Sequence, residues 1–457
     1  MDSTSGVTYC ACDDLDLDPE AVDRAEDIAD LAGITDVVAF PDMGMGDQET
    51  PVSLATASDS VVYPQLSSNP INCGMAVLKT NLTRDEVDPD VFADISKAIH
   101  DRTYDKQFRP PTADMGELLV TGAEYVVERW DIESDVLDHI ENNGNMFRDR
   151  EPVVSVNEAI PPWLKRHHTH KELPYPPLTP NHFLEFQCVD EIVNDRVAAD
   201  WGLFEDQLVC YLHGDYFFTL MVNWHYYDRL RLRNESTTRR LKYSLSRGAF
   251  HLLNGYLTSP RSLKHYYYND KTYLGFDENS REGKRYITAH DMAMNYAYAG
   301  RLLSLLCTSR ILEESVETSV EAELLWDVSH DSIQKERING QDYWISRKGT
   351  GTVYPDTPAL VTGNYNMNSA LCQGRSGAEN YLYSHDHGCG NVQDRTKSQP
   401  DRSHGKTHRY DLSTGEPFDE VDHVEPAPVE TVIERLHDRD VLEQVAWFRP
   451  VANFAEQ

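Results

Sequence analysis

The segment that says most about the fold is Asn181-His182-Phe183-Leu184-Glu185-Phe186-Gln187-Cys188-Val189. From Phe183 onward it is rich in aromatic and aliphatic residues, which is typical of a buried β-strand. A second strand-like run, Leu208-Val209-Cys210-Tyr211-Leu212, ends directly before His213. Because side chains at the ends of strands can converge on a pocket, His182 and His213 are candidate site residues.

Other metal-binding residue types lie far from these two histidines. Cys73 precedes a third strand-like run, Met75-Ala76-Val77-Leu78, while His330 and His387 stand in Asp-Val-Ser-His and His-Asp-His-Gly. Residues so widely spaced do not form a local zinc finger, so only the whole fold can bring them together. One thiolate with three imidazoles would suit Zn²⁺ or Mn²⁺. The alternatives are a buried inert thiol at Cys73 and isolated surface or core histidines.

Helical and strand-like segments alternate irregularly, which predicts an α+β fold with central β-sheets surrounded by helices. Asp18-Pro19-Glu20 is a helix start, with Asp as N-cap and Pro at the first helical position. We predict a long helix from about Thr288 to Glu314 and a final one from Glu430 to Val445. Since the candidate ligands are spread over most of the chain, we expect one large domain, 18–457. Residues 1–17 would be a flexible N-terminus, and 393–426, which are polar, an exposed loop excursion.

The chain is strongly acidic, with a net charge of −34 from 76 acidic and 42 basic residues. So negative a surface argues against nucleic acid, since phosphate binding needs a positive face. The alternative is a halophilic protein, because screening at high salt shortens the reach of these charges. Lys is less than half as frequent as Arg, and acidic residues recur throughout. Both observations favour a halophilic protein. In such a protein the negative charge is an adaptation to high salt and does not indicate which ligand is bound.

The eight cysteines are dilute, there is no basic N-terminal region, and no apolar run approaches the ~18 residues of a membrane span. We therefore expect a cytoplasmic protein with reduced thiols and no membrane partner. One stretch, 229–247, is locally basic and follows His225-Tyr226-Tyr227. It is equally compatible with RNA binding and with a helix whose arginines pair with the acidic surface; its basic residues are Arg229, Arg231, Arg233, Arg239, Arg240, Lys242 and Arg247.

Five motifs in order carry a family resemblance: Asn-Cys-Gly around Cys73, Asn-His-Phe-Leu-Glu from Asn181, Asp-Val-Ser-His ending at His330, Arg-Lys-Gly from Arg347, and His-Gly-x-Gly from His387. In this order they resemble the RtcB family. The members are GTP- and manganese-dependent ligases that join RNA 2′,3′-cyclic phosphate or 3′-phosphate ends to 5′-hydroxyl ends. The resemblance extends from the Asp18 helix to Arg449-Pro450. It implies an RtcB-like fold and RNA, such as tRNA halves, as partner, and leaves open a need for an activator protein.

The resemblance also implies residue roles. Cys73 would bridge two metals, with His182 on one of them and His213 and His330 on the other. His387 would take GMP from GTP through a ring nitrogen. Asn181 would contact phosphate, and Phe183 and Glu185 would lie against guanine.

Several positions depart from the family pattern. Pro70 stands where the family has a carboxylate three residues before the Cys, Gly44 replaces a His, and Asn391 replaces an Arg. Gly363-Asn364-Tyr365-Asn366-Met367 replaces a nucleotide-binding Gly-Ser-Met-Gly-Thr loop, and Ala455 replaces the family's closing Lys. Without the carboxylate, the four Cys and His ligands predict one four-coordinate site and a shift from Mn²⁺ towards Zn²⁺.

Three functions follow from these observations. The first is an RNA ligase that acts through a His387–GMP intermediate at a metal site. The second is a metal-binding, RNA-end-binding or phosphate-processing paralogue that has lost GTP-dependent ligation. The third is a non-catalytic RtcB-like partner. The retained His387 favours the first over the third, and the altered nucleotide loops favour the second.

Overall fold

A computed structural model of the chain describes residues 6–12, 15–46, 50–67, 70–167, 172–178, 182–227, 237–238, 241, 245, 273, 275–395, 399–400 and 405–456. Within these residues, two large β-sheets lie among helices, so the predicted α+β class is confirmed. None of the helices described is both long and apolar enough to cross a membrane. All eight cysteines are buried and carry free thiols.

The larger sheet has nine strands and carries most of the candidate site. Numbered along the chain with the other strands, they are β5 (Gly74–Thr83), β6 (Phe183–Ile192), β7 (Gln207–Gly214), β9 (Ala322–Ser329), β13 (Pro358–Val361), β14 (Ser369–Gly374), β16 (Lys406–Asp411), β17 (Glu416–Asp422) and β18 (Leu442–Ala455). Their spatial order is β13-β14-β18-β6-β7-β5-β9, and the β16–β17 hairpin joins through β18. The strands predicted after Cys73, after His182 and before His213 are β5, β6 and β7, so all three predictions are confirmed.

The second sheet has five strands in the order β1-β2-β3-β11-β10. They are β1 (Val7–Tyr9), β2 (Ile34–Met45), β3 (Pro51–Ser58), β10 (Asp331–Ile338) and β11 (Gln341–Lys348). Two short pairs complete the β-structure, β4 (Val61–Val62) with β8 (Phe276–Asp277) and β12 (Thr350–Thr352) with β15 (Ser384–Asp386).

The helices lie around these sheets. The α-helices described are Pro19–Ala29, Pro89–His100, Asp105–Phe108, Met115–Thr121, Ala123–Trp130, Val156–Ala159, Pro162–His167, Asp195–Asp200, Phe217–Tyr227, Arg281–Ser315, Gly390–Arg395 and Ala427–His437. As predicted, Asp18 caps the first of them, because its carboxylate accepts a hydrogen bond from the backbone N–H of Glu20. The long helix Arg281–Ser315 begins a little earlier than predicted and is buried along most of its length. It packs against β5, β7 and several shorter helices.

Three boundaries differ from those predicted. The segment 1–17, predicted as flexible, contains β1, which pairs in parallel with β2 and buries Val7. The predicted loop excursion 393–426 contains the β16–β17 hairpin, whose exposed second strand lacks the apolar alternation that marks a strand in sequence. The predicted final helix stops at His437, and its last four residues, Leu442–Val445, begin β18. There, tertiary pairing with β14 prevails over local helical periodicity.

Candidate functional site

Strand register brings the predicted metal ligands to one edge of the nine-stranded sheet. The neighbouring strands β6, β7, β5 and β9 are all antiparallel, so the beginnings of β5 and β6 meet the ends of β7 and β9. Met75 and Phe183 both lie opposite His213, and Gly74 lies opposite Ser329. Cys73, His182 and His330 immediately flank these paired positions. The four predicted ligands therefore reach one edge although about 250 residues separate the first from the last.

The ligand atoms at this edge lie within coordination range of one another. Cys73 Sγ is 3.4 Å from His182 Nε2 and 3.5 Å from His213 Nε2. His213 Nε2 is 3.0 Å from His330 Nε2. Cys73, His213 and His330 form a triad in which all ligand atoms lie within 4.8 Å of one another. Soft sulfur and imidazole donors in this arrangement fit a divalent transition metal.

A second triad contains a carboxylate that is absent from the predicted ligands. Asp215 follows the end of β7, and its Oδ2 lies 3.2 Å from His182 Nε2. With Cys73 these residues again place all three ligand atoms within 4.8 Å of one another. The sequence signal was the adjacency of Asp215 to His213-Gly214, which becomes informative only when the sheet register is known. Cys73 is common to both triads.

His387 lies beside this cluster rather than within it. It follows β15, and its ring stacks on that of His330 with centroids 4.0 Å apart and planes 18° apart. His387 Nδ1 is 2.7 Å from the carbonyl oxygen of Gly349. Since a carbonyl only accepts hydrogen bonds, this contact assigns the proton to Nδ1 and leaves the lone pair on Nε2.

Burial is the largest cause of the lowered pKa values of three imidazoles at the site. It lowers the pKa of His182 to about 4 and that of His387 to about 3, and in both cases the nearby His330 is the next cause. Burial likewise lowers the pKa of His213 well below its ordinary value. Neutral imidazoles keep a lone pair available for a metal or a phosphorus atom.

Burial shifts the acids of the cluster in the opposite direction. It raises the pKa of the Cys73 thiol well above its usual range, and the carboxylates of Asp215 and Asp331 add to the shift. It raises the pKa of Asp215 to about 7, with Asp331 as second cause. Each of these groups is therefore costly to ionise unless a positive charge lies beside it. A bound cation would supply that charge, so the donors present fit a metal.

A buried ion pair stabilises the segment that carries Cys73. Arg301, in the long helix, bonds Asp327 through Nε at 2.8 Å and Nη2 at 2.7 Å. The same guanidinium donates to the Asn72 carbonyl and to its side-chain oxygen, both at 3.0 Å. A Cβ at Gly74 would lie 2.6 Å from this guanidinium, so glycine is required for the close approach. Arg301 thus positions the turn that presents Cys73.

A cavity of about 460 Å³ opens next to the ligand edge. His387, His213 and Phe183 line its inner wall, while Asn364 and Tyr365 line another side. Arg409, on strand β16 of the β16–β17 hairpin, also lines the cavity. Its size is that of a small-molecule site of ordinary dimensions.

Comparison with known proteins identifies the family of the chain. A family model described as tRNA-splicing ligase RtcB matches residues 24–456. The chain belongs to the RtcB family. A tRNA-splicing ligase RtcB of Thermococcus kodakarensis is 24% identical over 479 aligned residues, covering 94% of this chain and 90% of the relative. That of Methanococcus maripaludis is 25% identical, covering 84% and 78%, and that of Aeropyrum pernix 23%, covering 82% and 77%.

In this RtcB-family chain the residues predicted to bind nucleotide or RNA fall into three groups. Phe183 lines the cavity and packs edge-on against His213, with ring centroids 5.4 Å apart. Glu185 lies beneath the cavity, where its two oxygens accept hydrogen bonds from Gln187 at 2.7 Å and Asn453 at 2.8 Å. A base in the cavity would meet Asn453, which lines it, before Glu185. Asn181 and the seven basic residues named in the 229–247 stretch lie outside the described residues.

Two of the departures from the RtcB pattern contact each other. A Cβ at Gly44 would lie 2.2 Å from Asn391 Oδ1, so the Asn391 side chain occupies the space of a side chain at position 44. Asn391 Nδ2 donates to the Asp42 carbonyl at 2.8 Å, and both Asn391 and Asp42 line the cavity. Two positions that differ from the family pattern are therefore packed against each other, and Asn391 contributes a neutral amide to the cavity wall.

Proposed function

We propose that this protein is an RNA ligase that joins 2′,3′-cyclic phosphate or 3′-phosphate ends to 5′-hydroxyl ends through a His387–GMP intermediate. The observation that carries the proposal is the hydrogen bond from His387 Nδ1 to the Gly349 carbonyl. It leaves the Nε2 lone pair for attack, and the ring borders a cavity of nucleotide size. The names of the relatives support the same reaction class.

The first step would be nucleotidyl transfer to the histidine. His387 Nε2 attacks the α-phosphorus of GTP, a P–N bond forms, and the P–O bond to the departing pyrophosphate breaks. A divalent cation held by the adjacent Cys, His and Asp donors would neutralise charge on the phosphate oxygens. Stacking on His330 and the bond to Gly349 fix the direction of the ring, so Nε2 is oriented before the substrate arrives.

The next steps transfer GMP and then displace it. An oxygen of the RNA 3′-phosphate attacks the guanylate phosphorus, and the P–N bond to His387 breaks. The 5′-hydroxyl of the second RNA then attacks the activated 3′-phosphorus, forming the new phosphodiester and releasing GMP. A cyclic phosphate end would first be hydrolysed to a 3′-phosphate. In tRNA splicing the two ends would belong to tRNA halves.

The cavity wall favours a second candidate, a paralogue that binds RNA phosphate ends at the metal site without guanylate transfer. Asn364, Tyr365, Asn391 and Ala455 line the cavity, and all four stand at positions that differ from the family pattern. Asn391 and Ala455 stand where the family pattern has an Arg and a Lys, so this wall offers the phosphates of a nucleotide less positive charge.

The test is incubation of the purified chain with α-labelled GTP and, separately, ATP, in Mn²⁺ at high KCl. The ligase hypothesis expects an acid-labile adduct in the wild type and none in His387→Gln. His437→Gln is the matched control, because His437 is exposed at the C-terminal end of the helix Ala427–His437 and is not among the residues that line the cavity. A wild-type chain that binds metal and 3′-phosphate RNA yet forms no adduct with either nucleotide would establish the second candidate. Persistence of the adduct in His387→Gln would contradict His387 as the nucleophile.

A further inference from the structure

The carboxylate of Asp215 lies among the predicted metal ligands, although neither the local sequence nor the family pattern predicts a ligand at this position. Gly214, the residue before it, pairs with Gly74 across β7 and β5. Asp215 therefore leaves the sheet directly beside Cys73. Its side chain is 16% exposed, and its oxygen approaches His182 Nε2 at 3.2 Å. The carboxylate position of the family pattern, Pro70, offers no side-chain ligand.

The distances fit two cations better than one. Donors around a tetrahedral ion with bonds of about 2.0–2.3 Å lie about 3.5 Å apart. Cys73 Sγ has this separation from His182 Nε2, at 3.4 Å, and from His213 Nε2, at 3.5 Å. The close donor pairs are Asp215 with His182 on one side and His213 with His330 on the other. The donors thus form two groups, and Cys73 is common to both.

We propose that Asp215 is a metal ligand which, with His182 and Cys73, holds a second divalent transition cation beside the one held by Cys73, His213 and His330. A carboxylate from the end of β7 thereby replaces one missing at position 70. Each ion has three protein donors and an open position for a substrate oxygen. Two ions sharing a thiolate would lie about 3.5–4 Å apart, the spacing of two-metal phosphoryl-transfer sites.

The charges of the cluster support this assignment. Two divalent cations bring four positive charges, and the thiolate and Asp215 carboxylate offset two of them, since the three imidazoles are neutral donors. The centre keeps a net positive charge that can meet phosphate groups in an otherwise acidic protein.

This inference concerns the centre on which the proposed function rests, but it is tested by metal binding alone. The metal-free full chain is titrated with Mn²⁺ and with Co²⁺ at high KCl, by calorimetry and by metal analysis after desalting. The thiolate-to-Co²⁺ charge-transfer band reports whether Cys73 takes part. The variants are Asp215→Ala and Asp215→Asn, the latter keeping the shape and a hydrogen bond to His182. Asp190→Asn is the matched control, because its side chain is 15% exposed and lies 3.3 Å from Arg449 outside the cluster.

We expect two ions per chain in the wild type and in Asp190→Asn. Both Asp215 variants should bind one ion with the charge-transfer band retained, and the second should weaken by about 100-fold. Circular dichroism and thermal unfolding of the metal-free variants control for folding. One ion per chain in the wild type, or two equally tight ions in Asp215→Ala, would overturn the proposal. Two ions with no nucleotide adduct would refute the ligase hypothesis while supporting this one.

Discussion

Oδ2 of Asp215 and Nε2 of His182 lie 3.2 Å apart at the edge of the nine-stranded sheet. The two residues are 33 positions apart: His182 precedes the start of β6 and Asp215 follows the end of β7, and because these neighbouring strands are antiparallel both residues lie at the same end of the sheet. Their contact changes how the centre is understood. Loss of the carboxylate at Pro70 predicted one Zn²⁺-like site with four Cys and His ligands. A carboxylate from another strand weakens the reason for that shift, since oxygen donors favour harder ions such as Mn²⁺.

Breaking the ion pair beneath Cys73 should destabilise the protein strongly. Arg301→Met leaves Asp327 as an unpaired buried carboxylate and removes two bonds to Asn72. We expect the free energy of unfolding to fall by about 3–5 kcal/mol in a denaturant titration at constant KCl. Arg310→Met is the control on the same helix, because Arg310 is exposed and pairs with Glu313 and Glu314 at the surface. It should lose at most ~1 kcal/mol. Equal losses in the two variants would contradict a structural role for the buried pair.

The shared space of Gly44 and Asn391 predicts energetic coupling. Gly44→Ala would push the Asn391 side chain away and break its hydrogen bond to Asp42. The expected loss in free energy of unfolding is about 1–3 kcal/mol. Asn391→Ala in the same chain should recover part of it, giving a coupling of about 0.5–3 kcal/mol in a double-mutant cycle. Gly116→Ala, where a Cβ meets nothing within 4 Å, should not be destabilised. Additive losses at positions 44 and 391 would show that they do not interact.

Arg409 should contribute to nucleotide binding. Its guanidinium lies 4.4 Å from the Tyr365 ring centroid and 3.1 Å from Asp419, and the side chain reaches the cavity beside His387. Arg409→Ala removes a cation that can meet phosphate, so we expect affinity for GTP to fall about 10-fold. Calorimetry with GTP and with ATP measures this. Lys406→Ala, on the same strand but exposed and paired with Glu420, should bind as the wild type does. Unchanged affinity in Arg409→Ala would place the nucleotide away from the hairpin.

Glu185 predicts a pH dependence of stability. Burial raises its pKa to about 7, against the hydrogen bonds from Gln187 and Asn453, which lower it. An unfolded Glu has a pKa of about 4.3, so between roughly pH 4.3 and 7 the folded chain holds a proton that the unfolded chain has released. The contribution of Glu185 to the free energy of unfolding therefore falls as pH rises through this window.

The measurement is the difference in unfolding free energy between wild type and Glu185→Gln at pH 5 and pH 8. The wild type should lose stability relative to the variant at the higher pH, because only the wild type must bury an ionised carboxylate there. Glu191→Gln, exposed on the same strand, controls for removing a carboxylate from an acidic chain. A difference that is the same at both pH values would show that Glu185 is already ionised throughout the range.

Much of the site could be predicted from local sequence. The apolar runs after Cys73 and His182 and before His213 indicate strands, and these strands are present at β5, β6 and β7. Ordered motifs indicated the family, and the structure brings Cys73, His182, His213, His330 and His387 together at one place. Each of these features depends on neighbouring residues along the chain, which is why the sequence contains it.

What only the tertiary structure decided is which distant residues meet. Strand order and register place Asp215 beside Cys73 and Glu185 within hydrogen-bond distance of Asn453, which lines the cavity. The long helix brings Arg301 into contact with Asn72, next to Cys73. The hairpin 406–422, predicted as a loop, delivers Arg409. None of these contacts leaves a periodic or local trace, because the partners are separated by tens to hundreds of residues and meet through sheet pairing and helix packing. The sequence by itself determined the donors and the strands that carry them; the fold decided which carboxylate completes the set.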